Sequence, residues 1–344
     1  MLNNLYLLSL GIGLFILSTV SVKWFSDCAR KCGLLAIPNA RSSHFEKIPQ
    51  GAGLVFVLIW ILSLLLGCCF NWFAVSEVML FTLSPTIVSL LGFWDDKKEL
   101  SAKVRLVVQI AAAIICVVGL GKVYTLSLLS EAAIYLGWAG IMMVMLALVW
   151  STNLFNFMDG LDGLAAVEAL FVLGVGGLLF WVTGEVKTAI MAWFLVATVA
   201  GFLVWNWPKA RVFMGDVGSY ALGFLIALFA IVGAAKYQIP IALWLILYGA
   251  FWFDATITLI RRFLNSEKLI LAHREHAYQR LNRIGFSHSQ VLCVYIVFNS
   301  ILAVITLWAS FHPDYMGWSL FLALGILTVA YLFIEKLNPM VSVK

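Results

Sequence analysis

Oxygen-bearing and basic side chains are scarce in this sequence and bunched where they occur. The richest stretch is Asn153-Leu-Phe-Asn156-Phe-Met-Asp159-Gly-Leu-Asp162-Gly-Leu, with a carboxamide or carboxylate at every third position. On a helix of 3.6 residues per turn, neighbours in that series share a face, but the stripe drifts by about 60° per step. Asn153 and Asp162 therefore face opposite ways unless the helix breaks between them. Gly160 and Gly163 permit that break and a close backbone approach to a ligand. The expected product is a polar turn at a helix end, with two carboxamides and two carboxylates directed into one cavity. An exposed loop would not alternate so strictly with Leu, Phe and Met.

Three further groups carry chemistry. Asp95 and Asp96 are adjacent, so on a helix they point about 100° apart and divide their tasks. One is expected to face a metal or a nucleophile, and the other to pair with Lys97, Lys98 or Lys103; a plain acidic helix cap is the alternative. In Phe213-Met-Gly-Asp216-Val-Gly-Ser219, two glycines flank an aspartate at the start of an apolar run, a helix N-terminus suited to an anion or its bound cation. No Lys follows the second Gly, which excludes a Walker loop. His273-Arg274-Glu-His276 does not have the spacing of H-E-x-x-H, so a zinc-protease site is excluded as well. With Arg280 and Arg283 beyond it, this basic segment suits a diphosphate, or else anionic lipid headgroups. Pro38 to Gly53 adds Arg41, His44 and a Gly51-Ala-Gly53 turn that could line the same mouth. Asp254, seven residues before Arg261, is expected to steady that helix rather than react. Glu168 carries no firm reading, and His288, outside every motif, is expected to matter less than His273.

The elements that hold these residues must be membrane spans. Of 344 residues, 63% are hydrophobic and 11% charged, with a mean hydropathy of +1.01; soluble domains have roughly 45–50% apolar and about 25% charged residues. Runs long enough to cross a bilayer, about 20 residues each, lie near 2–21, 52–70, 76–94, 104–120, 133–151, 163–183, 188–205, 218–234, 240–260, 289–309 and 315–334. The prediction is an all-α polytopic membrane protein of about 11 transmembrane helices, folded as a single multi-span domain over residues 1–344. The first run lacks the basic flank and cleavage site of a signal peptide and reads as a retained span. Alternate connections place 19 of the 22 Lys and Arg residues on one side, leaving only Lys122, Lys187 and Lys236 on the other. The positive-inside rule makes the first side cytoplasmic, with the N-terminus periplasmic and the C-terminus cytoplasmic. Trp24, Trp72, Trp94, Trp150, Trp205 and Trp207 near span ends fit an interfacial belt. The six cysteines lack a second Cys or His pair and are expected to be reduced and structural.

The acidic clusters, the asparagines and the His loop all fall on the cytoplasmic side. Ionisable groups at a membrane are costly and usually functional. From about Pro38 to Arg283 the sequence resembles the polyprenyl-phosphate N-acetylhexosamine-1-phosphate transferases, the MraY–WecA family. Four ordered blocks carry the resemblance: Asp95-Asp96 with Leu100-Ser-Ala-Lys103-Val-Arg105-Leu-Val-Val-Gln109, Asn153 to Leu164, Asn206 to Ser219, and His273 to His276. The wording His273-Arg-Glu-His276-Ala-Tyr-Gln-Arg280 is most similar to the WbpL-like subgroup that starts O-antigen chains. It departs from the three-histidine run of the cell-wall translocase, and Gly51-Ala-Gly53 departs from the usual Gly triplet.

The resemblance implies attack of undecaprenyl phosphate on the β-phosphate of a UDP-N-acetyl amino sugar, giving lipid-diphosphate-sugar and UMP. It also implies a requirement for Mg²⁺, or Mn²⁺ in its place. Asp216 would be a metal ligand, Asp96 would serve metal and phosphate, and Asp95 would be a base or nucleophile. Asn153, Asn156, Asp159 and Asp162 would shape the nucleotide and metal pocket, with Asn206 beside them. His273 and His276 would contact the diphosphate or sugar, with Lys103, Arg105, Arg274, Arg41 and His44 as further substrate contacts. Expected partners are the UDP-sugar, the lipid phosphate and membrane lipid, with a homodimer compatible and no nucleic acid. The expected location is the bacterial inner membrane, and the product would start O-antigen or another surface polysaccharide.

Phosphoryl transfer needs positioning and charge neutralisation more than covalent chemistry, so oxygen ligands for a hard cation plus cationic donors suffice. Whether Asp95 removes a proton, attacks phosphorus or only organises the site is open at this level. Asp159-x-x-Asp162-Gly163-x-x-Ala166 also copies the start of the CDP-alcohol phosphotransferase signature. However, Val167 stands where that family has Arg, and its later aspartate pair is missing. A secondary transporter would place its polar residues near the midplane, whereas here they gather at predicted span ends.

Overall fold

The computed structural model describes residues 4–36, 47–121, 123–130, 132–267 and 274–340. They form an all-α bundle trimmed by two small ribbons. The long helices are α1 (Asn4–Cys32), α2 (Gly53–Cys69), α3 (Val75–Lys98), α4 (Ala102–Leu120), α5 (Trp138–Met158), α6 (Leu164–Val182), α7 (Val186–Asn206) and α8 (Asp216–Lys236). They are followed by α9 (Ile241–Leu247), α10 (Gly249–Leu264), α11 (Ala277–Arg283), α12 (His288–Phe311) and α13 (Met316–Leu337). Strands β1 (Leu35–Ala36) and β2 (Ile48–Pro49) pair antiparallel, as do β3 (Thr125–Ser127) and β4 (Ala133–Tyr135).

Among the described residues, nine helices are long and apolar enough to cross a membrane. The pair α9 and α10, bent by 83° at Tyr248, is together long and apolar enough for one broken span or a re-entrant loop, where the sequence suggested one straight span. The predicted span 52–70 is a 17-residue helix, about 26 Å long at 1.5 Å per residue and thus short of a full bilayer core. The predicted span 133–151 is displaced: its first residues join the β3–β4 ribbon, and α5 runs on through Asn153 and Asn156 to Met158. Apolarity alone could not separate a short ribbon from the start of a helix.

Burial follows position in the bundle. Every residue in the apolar window of α8 is buried, against 11% for α1 and 22% for α13. Exposed Leu, Ile, Val and Phe side chains cover those peripheral helices, as a lipid-facing surface requires. The central helix is approached closely through small residues. A Cβ at Gly92 on α3 would strike the backbone of Asp216 and Val217, and one at Gly53 on α2 would strike Gly218. Ser89 donates to the Val217 carbonyl (3.1 Å) and Ser151 to the Gly223 carbonyl (2.7 Å), tying α3 and α5 to α8. These contacts bring the C-terminal ends of α3 and α5 to the N-terminus of α8, and that junction holds the site.

Candidate active site

The α3–α4 corner is built around Asp95. Helix α3 ends at Glu99, whose φ of 47° is left-handed, and Ser101 caps α4 by accepting from the Val104 amide. Asp95 is buried beneath this corner. Its Oδ1 accepts from the Leu100 amide (2.7 Å), and its Oδ2 from Arg105 Nη1 (3.1 Å) and the Tyr220 hydroxyl (2.7 Å). The expected lysine partner is corrected to Arg105. Lys97 and Lys98 lie over the Phe93 and Trp94 rings instead, 4.3 and 5.4 Å from their centroids. Arg105 wins because it sits one turn into α4 and points back at the corner.

Asp96, on the neighbouring helix face, takes a different task. Oδ1 accepts from Gln50 Nε2 (2.6 Å) and the Asp216 amide (2.9 Å), and Oδ2 from the Val217 amide (3.2 Å). A carboxylate from α3 thus satisfies the first free amides of α8, where orphan N–H groups and the helix dipole favour negative charge. Gly215, at φ 75°, lets the chain enter α8 beside it; a Cβ there would stand 2.5 Å from Asp96 Oδ2. Segment 49–53 crosses the same spot: Ala52 and Gly53 donate to the carbonyls of Phe213 and Met214, and Phe213 donates to that of Pro49.

Helix α5 supplies Asn156, whose Nδ2 donates to Asp216 Oδ1 (2.7 Å) and Ser219 Oγ (3.0 Å). The helix then breaks at 159–163, as the glycines suggested. Gly160 passes beneath Tyr278, whose hydroxyl holds the Phe157 carbonyl at 2.9 Å, and a Cβ at Gly160 would collide with that hydroxyl. Gly163, at φ 75°, donates to Asn206 Oδ1 (3.0 Å), while Asn206 Nδ2 donates to the Val212 carbonyl (2.9 Å). Asp162 Oδ2 accepts from the Ala210 amide (3.1 Å). The Asp159 side chain makes no hydrogen bond or ion pair among the described residues, although its amide donates to the Asn156 carbonyl (3.2 Å). Burial, with the charges of Asp96 and Asp162 adding to it, pushes its carboxyl up to about 7.

These residues enclose a strongly polar cavity of about 740 Å³ where the helix ends meet, within the range of small-ligand sites. Of the residues singled out in the sequence, Asp95, Asp96, Arg105, Asn156, Asp159, Asp162, Asn206 and Asp216 line it. Asn153 does not: it is clasped to Gln109 (2.7 and 3.3 Å), joining α5 to α4. That is the drift of a three-residue repeat on an unbroken helix. Lys103 is exposed outside the lining. His276 is buried beside the cavity, stacked with Phe157 and Tyr278 and with Nδ1 3.8 Å from Asp254 Oδ1. Arg274 accepts through its carbonyl from Arg283 and also stays outside the lining. Arg41, His44 and His273 lie outside the described residues.

Asp254 does not serve Arg261, which pairs with Glu335. It accepts from the Ala277 amide at 3.0 and 2.9 Å and so caps α11, the short helix that carries Gln279 to the cavity. Gln50, Tyr220 and Gln279 belong to the site without having been singled out in the sequence, although Gln279 lies within the 273–280 motif. Gln50, between Pro49 and Gly51, also had a local signal, whereas Tyr220 had none.

Among the described residues, no three acidic, imidazole or thiol side chains converge as a ready-made metal cage. The donor set still fits a hard cation. Magnesium keeps several waters and commonly takes one or two carboxylates plus substrate phosphate. Asp96, Asp159 and Asp216 share the cavity, and Asp159 has no compensating partner of its own.

A family model described as glycosyl transferase family 4 matches residues 78–234. The chain is 30% identical over 311 residues to a probable undecaprenyl-phosphate N-acetylglucosaminyl 1-phosphate transferase of Bacillus subtilis (strain 168), covering 86% of each. It is 26% identical over 329 residues to the undecaprenyl-phosphate alpha-N-acetylglucosaminyl 1-phosphate transferase of Escherichia coli (strain K12), covering 90% of this chain and 87% of that one. The Yersinia pestis enzyme of the same name is 27% identical over 331 residues, with the same coverage.

Proposed function

The chain belongs to glycosyl transferase family 4, in the MraY–WecA group, and from that premise we propose that it transfers an N-acetylhexosamine 1-phosphate from a UDP-sugar to undecaprenyl phosphate. The observation that carries this reading is the cavity that Asp96, Asp159 and Asp216 all line, with Asp96 on the first amides of α8 and Asn156 holding Asp216. A soluble nucleotide can reach such a site at the end of the bundle while the acceptor's tail stays in lipid. The charge asymmetry of the loops favours the cytoplasmic face of a bacterial inner membrane. The relatives' names make UDP-N-acetylglucosamine the first donor to test, and initiation of a surface polysaccharide such as O-antigen is the matching role.

In the reaction, an oxygen of the lipid phosphate bonds to the β-phosphorus of the donor. The bond from that phosphorus to the bridging oxygen breaks, and UMP leaves with that oxygen's electron pair. The acceptor phosphate is largely deprotonated near pH 7, so no general base is required. Asp95 fits a positioning role, since both its oxygens are engaged by Leu100, Arg105 and Tyr220. Asp96, Asp159 and Asp216 would hold Mg²⁺ or Mn²⁺, which supplies neutralisation of the diphosphate charge. Asn156 keeps Asp216 in place, and Arg105, one third exposed at the rim, offers a guanidinium to phosphate oxygens.

The test is purified protein with Mg²⁺, undecaprenyl phosphate and a panel of UDP-N-acetylhexosamines, with UMP as the readout. No lipid-dependent UMP from any donor would sink the proposal. Asp216→Asn is expected to lower turnover by about two orders of magnitude or more while the protein still inserts. Near-normal activity in that variant would remove Asp216 from the site.

A further inference from the structure

His288 opens α12, far along the chain from every motif, and on sequence grounds it is an indifferent residue. In the folded chain its Nδ1 lies 3.0 Å from Asp162 Oδ2, the oxygen that also accepts from the Ala210 amide at 3.1 Å. Asp162 and His288 are both largely buried, with side chains 11% and 17% exposed. Asp162 Oδ1 makes no hydrogen bond among the described residues, and Asp162 lines the cavity.

The surroundings make this a junction of three segments. A Cβ at Gly163 would stand 3.1 Å from Leu292 on α12 and 3.4 Å from Pro208 in the 206–216 loop, so both pack against the 159–163 turn. Asn206 ties that turn to the loop through Gly163 and Val212. His288 brings α12 against this turn through its ion-pair contact with Asp162. Its ring sits against one oxygen of Asp162, a residue that lines the cavity.

We infer that His288 is a positioning residue for donor binding: it fixes the rotamer of Asp162 so that Oδ1 is presented to the nucleotide-sugar. This rests on the cavity being the donor site. A carboxylate held by one backbone amide alone can rotate about χ2, and each productive contact then competes with unproductive rotamers. The effect falls on donor affinity, because Asp162 holds the Ala210 amide, while the α8 N-terminus is held by Asp96.

The test compares His288→Asn with His288→Gln in steady-state assays that vary donor and lipid separately. Asn places an amide nitrogen where Nδ1 stood; Gln places it one bond further out. His288→Asn should keep a KM for the UDP-sugar near wild type. His288→Gln and His288→Ala should raise it about tenfold, as loss of one polar contact to a largely buried carboxylate would, with little change in kcat or in KM for undecaprenyl phosphate. Equal donor KM in all variants, or a rise in His288→Asn as large as in His288→Gln, overturns the inference. Thermal melting of each variant separates a folding defect, which would lower kcat and both KM values' reliability together, from the selective change; an activity loss that tracks melting in all three variants also overturns it. Failure of the proposed function itself would look different, since the wild type would then release no UMP.

Discussion

At the scale of single residues, the site turns on how each carboxylate is compensated. Asp159 holds its proton up to about 7, against an ordinary value of 3.8, because it is recessed beside Asp96 and Asp162. A group whose pKa is raised on folding binds more protons in the folded state than in the unfolded one between those two values. Its contribution therefore makes the fold less stable as pH rises from about 4 to about 7. A divalent cation needs the anion, so its stabilising effect grows over the same window. Mg²⁺ should accordingly raise Tm more near about pH 8 than near about pH 6, and Asp159→Asn should shrink the difference. Equal increments at both values would place Asp159 away from the cation. Asp95 is the contrasting case. Tyr220→Phe removes one of its donors and should cost about 1 kcal/mol of stability, measurable by melting in detergent. That Asp95 and Asp96 separate was legible from their adjacency, but the identity of the partners was not. Arg105 and Tyr220 reach Asp95 from other helices, and local spacing carries no trace of that approach.

At the scale of elements, the break at 159–163 was readable because glycine and a repeat of three are both local signals. What the turn packs under was not readable. Tyr278 comes from α11 to cover Gly160, and its hydroxyl occupies the space of a Cβ. Gly160→Ala should therefore cut activity strongly, by an overpacking cost of about 1–3 kcal/mol at the turn. Tyr278→Phe should be the milder single change, and the double variant should recover part of what Gly160→Ala loses. Additive losses in that cycle would show that the two positions do not collide. The bend at Tyr248 escaped the sequence for a related reason. Residues 240–260 are uniformly apolar, and an 83° corner inside such a run leaves the hydropathy unchanged. The reading of Asn153 as a cavity residue failed because α5 stays helical to Met158 and turns that side chain to Gln109.

At the scale of the whole molecule, hydropathy and charge made the bundle legible, since each span and each loop contributes to the pattern. Cys32 ends α1 and Cys69 ends α2, and both are exposed. On the proposed orientation, with the cavity toward the cytoplasm, a membrane-impermeant maleimide should label Cys69 in spheroplasts and reach Cys32 only after lysis; the reverse order would invert the molecule. Distant contacts were out of reach of the sequence. Glu335 near the end of α13 pairs with both Arg261 and the fully buried Arg280. Glu335→Ala should lower stability by about 3 kcal/mol, because a buried guanidinium loses its counter-charge. The capping of α8 by Asp96 has a consequence for inhibition. An inhibitor that competes for Asp96 engages the same atoms that anchor the most buried helix of the bundle. A substitution at Asp96 that weakened the inhibitor would also uncap α8, so escape by that route carries a folding defect, and resistance would have to arise at the rim of the cavity.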